Sequence, residues 1–78
     1  MFREERVITG GLGEAGEAAE IADRLEEIAE RLAELSLKCL REALDVDRET
    51  QTELGAEEKR LSRARRSVEK AAAILRGA

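Results

Sequence analysis

Seventy-eight residues with a formal net charge of −4 are enough for one small domain. Charged residues make up 41% and apolar residues 42%, while aromatics are 1%, Phe2 alone, and there is no His, Pro, Trp or Tyr. That composition suits long amphipathic helices. It excludes imidazole chemistry, whether metal ligation or general base, and with it a serine triad on Ser36, Ser62 or Ser67. It also excludes the aromatic platforms on which nucleic-acid modules stack bases.

Residues 1–13 read as a flexible Gly-rich arm. Val7-Ile8-Thr9 has weak strand character, and Gly10, Gly11, Gly13 and Gly16 break regular structure. Gly11, Gly13 and Gly16 match G-x-G-x-x-G, but a dinucleotide site needs a second parallel strand, and none follows.

From about residue 14 to 44 the apolar period is helical. Ile21, Leu25, Ile28, Leu32, Leu35 and Cys39 recur at alternating steps of four and three, a heptad seam. Ala22, Ala29, Ala33, Leu37, Leu40 and Leu44 form a second line beside it. At ~100° per residue the two lines span an arc of about 200°, which implies contact with at least two other helices. Glu20–Arg24, Glu27–Arg31 and Glu34–Lys38 are acid-before-base pairs at i, i+4.

The period lapses over residues 45–52, where Thr50 and Glu53 have capping-box spacing. A turn is expected there, with one unbroken helix as the alternative. A second helix is expected over about 53–76. Leu54, Leu61, Val68 and Leu75 recur every seven residues, Ala64 and Ala71 lie between, and Gly77 supplies a C-terminal stop.

The chain therefore reads as all-α: a flexible arm (1–13) and a helical hairpin domain (14–78), two copies of which would pair into a four-helix bundle. Thirteen acids against five bases in residues 14–53, and seven bases against three acids in 54–78, make an acidic helix followed by a basic one. Below ~70–80 residues a single core rarely supplies more than ~3–5 kcal/mol without a staple or partner. The lone Cys39 forms no intrachain disulfide, so association is the remaining route to stability. The expected interface residues are Ile21, Leu25, Ile28, Leu32 and Leu35 on one helix, and Leu61, Val68 and Leu75 on the other. Cys39 continues the apolar seam as a small core residue rather than a reactive thiol.

On a helical wheel Lys59, Arg63, Arg66 and Lys70 form a basic ridge opposite the apolar stripe of the second helix. Such a ridge can contact phosphates, yet the pI of about 4.9 is the reverse of a nucleic-acid footprint.

Gly13-Glu14-Ala15-Gly16-Glu17-Ala18-Ala19-Glu20 resembles the first helix motif of MazG-type all-α nucleoside triphosphate pyrophosphohydrolases. The resemblance implies Mg²⁺ on a substrate's phosphates, held by an E-x-x-E pair, here Glu14 and Glu17, and an E-x-x-D pair, here Glu42 and Asp45. Hard oxygen ligands suit that ion. The apolar and aromatic run that follows E-x-x-D in that family is replaced here by Val46-Asp47-Arg48-Glu49. On one helix the two pairs lie roughly 40 Å apart. They converge only across an antiparallel partner chain or at a helix break near Ser36.

The expectation is a non-catalytic protein–protein interaction or assembly module without cofactor. Its partners are itself, as a homodimer or higher oligomer, or a larger protein. The Mg²⁺-dependent hydrolase is the alternative, and phosphate or nucleic-acid contact through the ridge the third reading. With no signal-like or spanning segment in the sequence, the expected location is the cytoplasm and no membrane partner is expected.

Overall fold

A computed structural model describes the backbone of residues 2–77 and the side chains of residues 16–77. The chain is an all-α helical hairpin: α1 spans Phe2–Ala43 and α2 spans Arg48–Leu75. The two helices lie antiparallel along a body 70 × 15 × 13 Å in extent. The long axis is close to the ~63 Å that 42 helical residues require at ~1.5 Å each.

The turn is shorter than the sequence suggested. Asp47, not Thr50, is the N-cap of α2, and its Oδ1 accepts from the Thr50 backbone N–H at 2.8 Å. Asp caps a helix at least as well as Thr, so α2 starts at Arg48 and takes in residues placed in the turn. Across the turn the Gln51 side-chain amide donates to the Ala43 carbonyl at 2.7 Å, tying the first turn of α2 to the last of α1. The α2 terminus is as expected. Gly77 has φ +88°, open to glycine without strain, and its N–H donates to the Ile74 carbonyl at 3.0 Å.

The segment expected as an arm is a second difference. The backbone of α1 is helical from Phe2, through the glycines. Each glycine costs about 1 kcal/mol in a helix interior but does not forbid it, and no proline is present to do so. The end of α2 reaches the level of Asp23 and Glu26, where Arg76 bonds to both carboxylates. The part of α1 before that level has no α2 opposite it.

The helices meet through small residues. Ala22, Ala29 and Ser36, seven apart on α1, are 0%, 4% and 9% exposed, and Ala72 on α2 is 2% exposed. Leu25, Leu32 and Cys39 form the line beside them, with the leucines half-buried and Cys39 buried. On α2, Leu54, Leu61 and Val68 are half-buried, and so are Glu58 and Arg65 of the adjoining line. Ala64 and Ala71, expected within the stripe, are exposed instead. The direction from which α1 approaches selects Arg65 and Ala72 in their place.

Candidate functional site

The wide apolar arc of α1 divides in two. Leu25, Leu32 and Cys39 turn toward α2. Ile21, Ile28 and Leu35, the outer line of the same seam, stay 51%, 46% and 47% exposed. Among the described residues no large side chain is fully buried. The hairpin thus has a contact line but no core of bulky side chains, although such residues recur along its length.

The side of the hairpin on which this line lies follows from the ion pairs. The Arg76 guanidinium donates to both Glu26 carboxylate oxygens at 3.0 Å and also to Asp23. Arg76 and Glu26 each flank their own seam, so this edge of the hairpin is polar at the end away from the turn; toward the turn Ala33, Leu37, Leu40 and Leu44 continue the same lines of α1. The paired guanidinium lowers the Glu26 carboxyl below its ordinary range, and both carboxylates hold Arg76 charged. On an antiparallel pair the residues flanking the other side of each seam must face each other. On α1 these are Ile21, Ile28 and Leu35, and on α2 Ala64 and Ala71. Together with Leu25, Leu32, Leu61, Val68 and Leu75 they make one continuous apolar face. Of the eight interface residues expected from the sequence, Leu25, Leu32, Leu61 and Val68 are half-buried at the helix contact, and Ile21, Ile28, Leu35 and Leu75 are exposed beside it. A smaller exposed apolar patch, Leu37, Leu40 and Leu44, lies near the turn.

The basic ridge is a solvated line. Lys59, Arg63, Arg66 and Lys70 are all exposed, and no described acid forms an ion pair with them. The one ion pair within α2 is Arg60 with Glu57, one residue from the ridge.

The four carboxylates of the hydrolase reading are not brought together within the chain. Helix α1 runs unbroken through Ser36, so Glu17 and Glu42 are ~38 Å apart along it, and Asp45 lies in the turn. The Glu14 side chain lies outside the described residues. Among the described residues, no cluster of three or more acidic or thiol side chains is placed to hold a metal ion. The Cys39 thiol is pushed up by burial first, then by Glu57, Glu42 and Glu58, so the thiolate form is disfavoured.

Two polar atoms in the helix contact escaped the sequence reading. Ser36 Oγ and Arg65 Nε are buried with no hydrogen-bond partner. The signal for Ser36 was present: it continues the seven-residue line of Ala22 and Ala29 and is followed by Ala43. For Arg65, inside a basic run, there was none.

No protein-family model matches the chain, and no curated protein and no solved structure matches it. The pyrophosphohydrolase resemblance therefore stays confined to the residues that suggested it. Among the described residues no helix is long and apolar enough to cross a membrane.

Proposed function

We propose that this chain is a non-catalytic protein–protein interaction or assembly module, a small adaptor or regulatory subunit acting through the apolar face of its hairpin. One observation carries this reading. Ile21, Ile28 and Leu35 form a straight line about half exposed, on a hairpin that fully buries no large side chain among its described residues. Single exposed apolar residues are ordinary, but a continuous patch marks an interaction surface. Pairing of two such faces yields a four-helix bundle, which would supply the missing core. The unpaired Cys39 fits a reducing compartment, hence the cytoplasm.

The test is site-specific photo-cross-linking in the cells that make the protein. A benzophenone side chain at Ile28 should give protein adducts well above those from the same probe at Arg63, on the solvated ridge. Equal yields at the two positions would refute the interaction reading.

A further inference from the structure

Resting on that reading, we infer that the occupant of the apolar face is a second copy of this chain, docked so that the two α1 helices run antiparallel side by side. The charge order beside the Ile21–Ile28–Leu35 line carries the inference. Glu20, Arg24, Glu27, Arg31, Glu34 and Lys38 alternate in sign along the flank of that line, all exposed. Reversed end to end, the sequence of signs becomes its own complement. A twofold axis near Ile28 sets Glu20 beside Lys38 of the second copy, Arg24 beside Glu34, and Glu27 beside Arg31. The same axis stacks Ile28 on Ile28 and Ile21 on Leu35. The charge pairs centre on residue 29 and the apolar pairs on residue 28; an axis midway leaves each opposite-charge pair and each apolar pair one residue, ~1.5 Å, from level, and Arg24 with Arg31, the nearest like pair, two residues from level. A parallel copy in register would set like charges side by side.

Two further observations agree. Shallow grooves follow this flank, one lined by Glu27, Ile28, Glu30, Arg31 and Glu34, the next by Arg31, Glu34, Leu35, Lys38 and Arg41. On α2 the same axis brings Ile74, 61% exposed, level with the exposed Ala64 of the second copy, a large residue against a small one.

The experiment is a charge swap read by solution mass with helicity alongside. Wild type should have twice the chain mass. Arg24→Glu/Arg31→Glu/Lys38→Glu, and separately Glu20→Lys/Glu27→Lys/Glu34→Lys, should each fall to the mass of one chain. An equimolar mixture should return to the doubled mass. In a Cys39→Ser background, oxidised Ile28→Cys should cross-link to itself. Leu35→Cys should cross-link only when mixed with Ile21→Cys. A monomeric wild type, a mixture that stays monomeric, or self-linking of Leu35→Cys as fast as Ile28→Cys overturns the inference. Photo-adducts at residue 28 that contain only a different protein also overturn it, while leaving the interaction reading intact.

Discussion

Replacing Ser36 with alanine should stabilise the protein. Ser36 sits in the helix contact, 9% exposed, on the line of Ala22 and Ala29, and its hydroxyl has no partner. A buried polar group without a hydrogen bond costs about 1–3 kcal/mol, and alanine adds up to ~0.5 kcal/mol of helix propensity over serine. Removing one oxygen leaves almost no cavity, so the gain is not offset by lost packing. The sum is about 1–3.5 kcal/mol, and at ~4–8 °C per kcal/mol for a chain of this size the melting midpoint should rise by at least about 4 °C and at most about 28 °C. Ser62 is the internal control. Its hydroxyl donates to Glu58 at 2.6 Å, so Ser62→Ala should lose a bond worth about 0.5–1.5 kcal/mol against the same propensity gain of up to ~0.5 kcal/mol, and its midpoint should not rise. Thermal melts by circular dichroism at one fixed concentration measure both. A lower midpoint for Ser36→Ala would mean that its hydroxyl is bonded in the working protein, and the reasoning from the bare contact would fail.

Three other expectations follow from particular residues. Ala29→Leu, at a position 4% exposed, should force the helices apart and cost about 1–3 kcal/mol, read as a lower midpoint and loss of the Arg76–Glu26 pairing. Asp47 is held below its ordinary pKa by its bonds to Thr50, so its contribution is present above the unfolded pKa and lost as the pH falls through the depressed folded value. Asp47→Asn keeps the cap without the charge, so wild type should be the more stable at neutral pH and the two should converge as the pH falls through the depressed folded pKa of Asp47. Mg²⁺ is an informative titrant, because antiparallel pairing of two α1 helices would bring Glu17 level with Glu42 of the second copy. In a non-catalytic module millimolar Mg²⁺ should shift the midpoint no more than Na⁺ at equal ionic strength; a specific, saturable rise would restore the hydrolase reading.

Both helices and the Gly77 stop were legible in the sequence, because heptad spacing and a C-terminal glycine are local signals. The turn was harder. Asp47 with Thr50 and Thr50 with Glu53 both have capping spacing, and the Gln51–Ala43 bond, a tertiary contact, accompanies the earlier start. The glycines before residue 17 suggested an arm because glycine disfavours a helix, yet the backbone is helical there. In α2 the line of Leu54, Leu61, Val68 and Leu75 was plain, but either neighbouring line was compatible with it. Only the approach of α1 places Arg65 and Ala72 inside and Ala64 and Ala71 outside. The division of the α1 arc was illegible for the same reason: periodicity tells how wide an apolar face is, not which part a partner takes first.

The central claim is that the Ile21–Ile28–Leu35 line serves association and not the hairpin itself. Light scattering across a concentration series, with helicity recorded on the same samples, tests this most directly when wild type is compared with Ile28→Asp. Ile28 is 46% exposed and lies outside the α1–α2 contact line, so the variant should keep the hairpin's helicity while its mass falls from that of two chains to that of one. Wild-type mass in the variant at undiminished helicity would contradict the account.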